Sequence, residues 1–134
     1  MEPTKQATAK RILIVEDDLL IRELYSRALR NEGYIVEEAE DGKKGYEAIV
    51  KGGYDLVLLD IMLPFMDGLQ ILEKITKETP PQIPNKHMML LTNLDQQLAI
   101  AKGLEYGVND YLIKSQFSLE KLRKEIQAVL EKSS

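Results

Sequence analysis

Short apolar runs recur along the chain, and each is followed by a stretch with helical spacing. Ile12 to Val15 is the first run, and it has no polar alternation. Such a run is typical of a strand buried on both faces, as in parallel sheets. The residues after it share one face of a predicted helix that Gly33 ends: Leu20, Ile21, Leu24, Tyr25, Ala28 and Leu29.

The same unit recurs four more times. Further strands are predicted at 34–39, 56–59, 88–91 and 111–113. The helices after them are predicted from apolar faces, with Asp95 and Ser118 as N-caps of the last two: Tyr46, Ile49 and Val50; Leu69, Leu72 and Ile75; Leu98, Ala101 and Leu104; Leu119, Leu122, Ile126, Val129 and Leu130. Five strands alternating with five helices predict an α/β, doubly wound, five-stranded parallel sheet.

Length and composition indicate one domain. The chain has 134 residues, of which 44% are hydrophobic and 30% charged, as in ordinary globular proteins. Residues 1–9 are polar and without a sustained period, which predicts a flexible N-terminal segment. We expect the domain at residues 10–131 and a short tail at 132–134.

Charge and residue usage exclude several classes of function. The formal net charge of −4 offers no general attraction to nucleic acid or anionic lipid. The absence of Cys excludes disulfides and thiolate metal sites. The apolar runs are too short to span a bilayer, and no signal-type segment opens the chain, so we expect a cytoplasmic protein.

Polar side chains follow four of the five predicted strands. Glu16 and Asp17 follow the first, Asp60 the third, Thr92 the fourth and Lys114 the fifth. Ligands of open α/β sheets bind at the carboxyl ends of the strands. If the first and third strands are neighbours, the three carboxylates converge and repel one another unless a cation intervenes.

These residue types together suit magnesium-dependent phosphoryl transfer. Mg²⁺ prefers oxygen ligands and keeps positions open for a phosphate. A lysine and a hydroxyl can contact phosphoryl oxygens. Each residue alone is more often a solvated charge, a turn former or a helix cap. The prediction therefore depends on their shared edge of the sheet.

The motifs resemble those of the receiver domain of two-component response regulators. They are ILIVED at 12–17, LLDIMLPFMDG at 58–68, LLT at 90–92 and DYLIK at 110–114, in the family's order. The most distinctive is Asp-x-x-Leu-Pro-x-x-Asp-Gly from Asp60 to Gly68. The resemblance covers about residues 10–131 and implies the flavodoxin-like strand order 2-1-3-4-5.

The resemblance implies a role for each motif residue. Asp60 is similar to the phosphoacceptor, and Asp60 and Asp17 to direct Mg²⁺ ligands, with Glu16 acting through water. The main-chain carbonyl of Met62 corresponds to a further metal ligand. Two more residues contact the phosphoryl group, namely Lys114, which pairs with it, and Thr92, the switch hydroxyl. Tyr111 occupies the aromatic switch position.

The resemblance also implies partners. We expect a sensor histidine kinase or phosphotransfer protein as the phosphoryl donor, and a downstream effector. The surface formed by helix 4, strand 5 and helix 5, roughly Asp95 to Glu131, would be the output face and one route to a homodimer. No direct binding of this chain to nucleic acid or membrane is expected. It would be a regulatory phosphoacceptor that catalyses its own phosphorylation and dephosphorylation, not a turnover enzyme.

Two residues depart from the family pattern. Ser115 stands where the family usually has a cis proline, so the bond before it is either cis or trans. Asn93 stands where a small residue is usual. These departures leave open a degenerate receiver that binds partners without modification. His87, the only histidine, starts a strand away from the acidic residues, which argues against a phosphate relay.

Two alternatives from other classes fit the same sheet less well. A phosphatase of the haloacid dehalogenase type would need a second Asp two residues after Asp60, where this chain has Met62. A flavin- or nucleotide-binding protein would offer amides or hydroxyls in its first loop. Glu16, Asp17 and Asp18 would instead repel a phosphate.

Overall fold

The structure is a computed structural model that describes residues 9–93, 95–108, 110–114 and 118–132. Strands and helices alternate in the order the sequence predicts. The strands are β1 (Arg11–Val15), β2 (Ile35–Ala39), β3 (Leu56–Asp60), β4 (His87–Thr92) and β5 (Asp110–Ile113). The helices are α1 (Leu19–Asn31), α2 (Gly42–Lys51), α3 (Gly68–Lys77), α4 (Gln97–Glu105) and α5 (Leu119–Glu131).

The five strands form one parallel sheet in the order β2-β1-β3-β4-β5. This order confirms the predicted doubly wound fold. Val15 pairs with Leu59, and Asp60 pairs with Leu91, so the last residues of β1, β3 and β4 lie at one edge. That edge holds the candidate site.

Alternate residues of the strands face two separate cores. Ile12, Ile14 and Leu58 lie in one core with residues of α1 and α5. Leu13, Val15 and Leu59 lie in the other, with residues of α2 and α3. Burial of both faces explains why these strands are apolar throughout. No helix in the described parts of the chain is long and apolar enough to cross a membrane.

The predicted face of α1 is only partly correct. Tyr25, Ala28 and Leu29 are buried as expected, but Leu20 and Leu24 are exposed. Arg22 and Ser26 are buried in their place. A buried arginine is tolerated here because its guanidinium has partners, which are described below.

The predictions for α4 are wrong in two respects. The N-cap is Gln96 and not Asp95. The expected apolar face is exposed, with Leu98 at 86% exposure, and Gly103 is the residue buried. The missing side chain of Gly103 lets the helix approach Leu90, since a Cβ there would lie 2.5 Å from Leu90 Cδ1. The predicted cap Ser118 and the predicted face of α5 are confirmed.

The connection from α3 to β4 is hydrogen-bonded to the last turn of α2 and to the turn that follows it. Gln82 donates its N–H to Val50 (2.7 Å), and Gly53 donates to Ile83 (3.0 Å). The Asn85 carboxamide accepts from the Tyr54 N–H (3.1 Å) and donates to the Ile49 carbonyl (3.1 Å). The prolines end α3 as predicted, and these bonds fix the path that follows.

Candidate functional site

Three carboxylates meet at the carboxyl edge of the sheet. Glu16 follows β1, and Asp60 ends the neighbouring β3. One oxygen each from Glu16, Asp17 and Asp60 lies within 4.8 Å of the others. Glu16 and Asp60 are buried, whereas Asp17 is exposed. The structure therefore brings together the acidic residues that the sequence predicts.

Lys114 crosses from the end of β5 to the acidic residues. Its Nζ lies 2.6 Å from Glu16 Oε1 and 2.9 Å from Asp60 Oδ2. Burial alone would lower the pKa of Lys114, but the contacts with the two carboxylates outweigh it, and the pKa is raised. The lysine is thus held as a cation between two buried acids.

Crowding of the carboxylates changes their proton affinity. Burial and the nearby charge of Asp60 raise the pKa of Glu16, although Lys114 opposes the shift. Burial and the neighbouring Glu16 raise the pKa of Asp17. One lysine does not fully compensate three carboxylates, so the site favours an additional cation. An oxygen-only donor set of this kind fits a hard divalent ion such as Mg²⁺.

Asp18 connects this cluster to α1. Its side chain accepts from the Ile21 N–H (3.1 Å), which makes it the N-cap, as predicted. Its own N–H donates to Glu16 Oε2 (3.1 Å). The start of α1 therefore fixes the orientation of the first carboxylate.

Two glycines shape the loop between β3 and α3. A Cβ on Gly68 would lie 2.6 Å from the Asp60 carbonyl oxygen, so α3 can begin against the end of β3 only without a side chain there. Gly42 at the start of α2 donates its N–H to the Pro64 carbonyl (3.1 Å) and leaves no room for a Cβ against Met66. Met62 lies in this loop and is 63% exposed. A metal contact of its carbonyl stays a prediction.

Thr92 ends β4 beside the acidic residues and is fully buried. Its hydroxyl donates to Gln96 Oε1 (3.0 Å) or to the Asn93 carbonyl (3.2 Å). Gln96 Oε1 also accepts from the Asn93 N–H (2.8 Å). Tyr111 on β5 is 46% exposed. Their switch roles stay predictions, and Ser115 lies outside the described residues.

Sequence analysis missed two residues that support the site. Gln96 closes the loop after Thr92, but a glutamine at that spacing has many ordinary explanations. Arg22 contacts the Glu16 carbonyl, but an arginine within a predicted helix is usually solvated. Its one signal is that Arg22, Ser26 and Arg30 interrupt the apolar face at four-residue intervals. His87 lies at the opposite end of β4 from Thr92, as expected.

Comparison with known families identifies one match over most of the chain. The family described as the response regulator receiver domain matches residues 12–127. Among curated proteins, the uncharacterized transcriptional regulatory protein YkoG of Bacillus subtilis is 41% identical over 122 residues, which is 91% of this chain and 51% of YkoG. HprR of Escherichia coli is 38% identical over 120 residues, which is 90% of this chain and 51% of HprR. The chain thus spans about half the length of these relatives.

Solved structures show the same fold. A CheY-like receiver domain protein from Methanospirillum hungatei has a TM-score of 0.80 and 31% identity, with 92% of this chain and 95% of that chain covered. The receiver domain of the sensor histidine kinase PA1611 from Pseudomonas aeruginosa has a TM-score of 0.76 and 28% identity, with 92% of this chain and 98% of that chain covered. That structure holds a magnesium ion in its active-site cleft.

Proposed function

Because the chain belongs to the response regulator receiver domain family, we propose that it accepts a phosphoryl group on Asp60 from a phosphohistidine. The donor would be a sensor histidine kinase or a phosphotransfer protein. The observation that carries this proposal is the contact of Lys114 with both Glu16 and Asp60 at the carboxyl edge of the sheet. Asp60 is a buried carboxylate beside a fixed cation, which is what a nucleophile for phosphoryl transfer would need.

Asp60 would act as the nucleophile. One of its carboxylate oxygens attacks phosphorus while the bond from phosphorus to the donor imidazole nitrogen breaks, and that nitrogen keeps the electron pair. An acyl phosphate forms without any change in oxidation state. The nucleophile needs positioning more than activation, because phosphoryl transfer depends mainly on placement and on neutralisation of the spreading negative charge.

Lys114 would change its partners during phosphoryl transfer. Before transfer it neutralises Glu16 and Asp60, and after transfer it can pair with a phosphoryl oxygen. Glu16, Asp17 and Asp60, with the Met62 carbonyl, would hold Mg²⁺, which neutralises charge on the phosphoryl oxygens when bound. The fit of this donor set is supported by its crowded carboxylates and the raised pKa values of Glu16 and Asp17.

Thr92 and Tyr111 would convert the modification into a change of surface. The phosphoryl group adds nearly two negative charges and three acceptor oxygens. The Thr92 hydroxyl would leave Gln96 Oε1 to donate to one of them, and Tyr111 would turn inward. The output face of α4, β5 and α5 would then recognise a downstream effector, and homodimerisation through it stays a prediction, as does a cytoplasmic location.

Intact mass measurement tests the phosphoacceptor role. The protein is incubated with Mg²⁺ and a small acyl phosphate, and one base-labile phosphoryl group is expected. Asp60→Asn should abolish the gain. Asp67→Asn is a matched control, because it makes the same chemical change in the same loop and asparagine also caps helices well.

Two results would contradict the proposal. The absence of any gain, under conditions that modify an established receiver, would favour a degenerate receiver. Continuous release of phosphate over many turnovers would favour a phosphatase and contradict the assignment as a regulatory phosphoacceptor.

A further inference from the structure

Arg22 is a buried charge beside the site. It is 9% exposed although arginine usually lies at the surface. Its Nη1 donates to the main-chain carbonyl of Glu16 (2.8 Å), and its Nε donates to Glu38 Oε1 on β2 (3.0 Å). A buried guanidinium is expensive unless it is paired, so these two contacts determine where the side chain lies.

The carbonyl that Arg22 binds lies where regular strand pairing stops. The register between β1 and β2 ends at the pair Val15 and Ala39. Glu16 is the next residue, and its N–H still donates to the Ala39 carbonyl (3.1 Å). Arg22 supplies a donor for the Glu16 carbonyl beyond the end of this register. Both main-chain polar groups of Glu16 are therefore anchored to α1 and β2.

The Glu16 side chain is held as well. Oε1 lies 2.6 Å from Lys114 Nζ, and Oε2 accepts from the Asp18 N–H. Every polar atom of Glu16 thus has a defined neighbour. Because side-chain direction follows the backbone, removal of the Arg22 contact would let the Glu16 backbone rotate and would misdirect its carboxylate.

Arg30 provides a matched control for Arg22, because both arginines contact Glu38. The second carboxylate oxygen of Glu38 lies 3.3 Å from Arg30 Nη2, and Arg30 also donates to the Val36 carbonyl (2.9 Å). Arg22 and Arg30 lie two turns apart on α1 and share this carboxylate. Only Arg22 of the two has the additional contact with Glu16. The side chain of Arg30 is 50% exposed, whereas that of Arg22 is 11% exposed.

We propose that Arg22, anchored by Glu38, is a positioning residue that fixes Glu16 for Mg²⁺ binding at the phosphoacceptor site. This inference rests on the proposed function. It predicts a specific division of effects. Arg22 should affect phosphorylation only through the affinity for Mg²⁺, whereas Asp60 and Lys114 should also act directly on phosphoryl transfer once the ion is bound.

Calorimetric titration with Mg²⁺ alone tests the inference on the unphosphorylated full chain. Arg22→Gln should weaken Mg²⁺ binding, raising the dissociation constant about tenfold. This is the lower end of the range for residues that orient metal ligands. Arg30→Gln should stay within about twofold of wild type. Arg22→Lys, which keeps the charge and one donor group, should be intermediate.

Two further measurements separate positioning from general destabilisation. The phosphorylation rate of Arg22→Gln with a small acyl phosphate, at saturating Mg²⁺, should stay within about threefold of wild type. Hydrogen exchange at the Glu16 amide should be faster in Arg22→Gln than in Arg30→Gln, with no metal present.

Several outcomes would overturn the inference. These are an unchanged Mg²⁺ affinity in folded Arg22→Gln, an equal loss in Arg30→Gln, or a slower rate at saturating Mg²⁺ without a change in affinity. If Arg22→Gln does not fold, Arg22→Lys and Glu38→Gln decide by the same titration, and wild-type affinity in both contradicts it. Failure of the proposed function is distinct, because it appears as wild-type protein that binds Mg²⁺ but gains no phosphoryl group.

Discussion

Lys114 has two charged partners in the structure and would gain a third on phosphorylation. It lies 2.6 Å from Glu16 Oε1 and 2.9 Å from Asp60 Oδ2. A cation in this position competes with a metal ion for the same carboxylates. It also lies where transferred phosphoryl oxygens would need a positive charge. Its removal should therefore affect metal binding and transfer in opposite directions.

Lys114→Met tests this opposition. We expect Mg²⁺ to bind several-fold more tightly, because three carboxylates remain without a competing cation. Phosphorylation by a small acyl phosphate should slow by about a hundredfold or more, as when one charge-stabilising donor is lost. Calorimetry and mass spectrometry measure the two effects. The control is Lys86→Met, which removes an exposed lysine paired with Asp55 and should change neither the Mg²⁺ affinity nor the phosphorylation rate. A loss of both affinity and rate in Lys114→Met would contradict the argument.

The residues that the sequence predicts share one property. Glu16, Asp60, Thr92 and Lys114 each directly follow or end a strand, and strand ends can be located from apolar runs. Arg22 and Gln96 escaped prediction because their effect depends on how far a side chain reaches from a helix. The spacing of residues along a helix does not predict which distant group a long side chain will contact. Arg22 and Gln96 could therefore be identified only from the structure.

At the scale of elements, a polar cluster connects β1, β2 and the turn before β3. Arg11 on β1 contacts Glu37 on β2 (2.7 Å) and lies over the Tyr54 ring, with 4.8 Å from its Cζ to the ring centroid. The Tyr54 hydroxyl donates to Glu37 (2.8 Å). Burial and Glu37 raise the pKa of Tyr54 to about 12. The Arg11 hydrogen bond lowers the pKa of Glu37, and Tyr54 adds to this effect.

The lowered pKa of Glu37 predicts a pH dependence of stability. The unfolded chain binds this proton more tightly, so the stabilisation is present above the ordinary pKa of 4.5 and is lost as pH falls through the lower folded value. Glu37→Gln should lower the free energy of unfolding by about 1 kcal/mol at pH 7, since the pair is half exposed. The difference from wild type should shrink below pH 4.5.

Urea denaturation between pH 3 and pH 7 measures that difference. Glu47→Gln removes an exposed acid on α2; it is the control and should show a small, constant difference. A Glu37→Gln difference that stays constant with pH would contradict the assignment.

Helix α4 is the least anchored helix of the described chain. Gly103 is its one buried residue, and its N-cap makes no side-chain capping hydrogen bond. Helix α5 instead buries four residues and is capped by Ser118. We expect amides of α4 to exchange at least about tenfold faster than those of α5, after correction for intrinsic rates. Native-state hydrogen exchange measures this, and equal protection of the two helices would contradict it.

The elements also show where pattern-based prediction fails. The face of α5 was predictable because apolar burial alone positions that helix. The face of α4 was not, since close approach at Gly103 outweighs the burial of Leu98 and Leu104. In α1, the hydrogen bonds of Arg22 to Glu38 and to the Glu16 carbonyl stabilise a buried charge. An apolar pattern alone would place that charge in solvent.

At the scale of the whole molecule, topology follows from the repeated unit. Short connections and right-handed crossovers leave few arrangements for five βα units, so the parallel sheet could be predicted. The strand order could not be derived from the periodicity. It came from the family resemblance and is confirmed. The two cores then follow from alternation along strands buried on both faces.

The hydrogen-bonded connection from α3 to β4 has a consequence for the integrity of the molecule. Gln82, Ile83 and Asn85 are held to the end of α2 and to the turn after it by hydrogen bonds that do not depend on the peptide bond between Pro80 and Pro81. Separate fragments 1–80 and 81–134 should therefore reassemble into a folded particle, detectable by co-elution and recovered circular dichroism. Fragments that remain apart would contradict this expectation. If the fragments do reassemble, the protein would be suitable as a split reporter, and the new chain ends would lie on the side opposite the acidic residues.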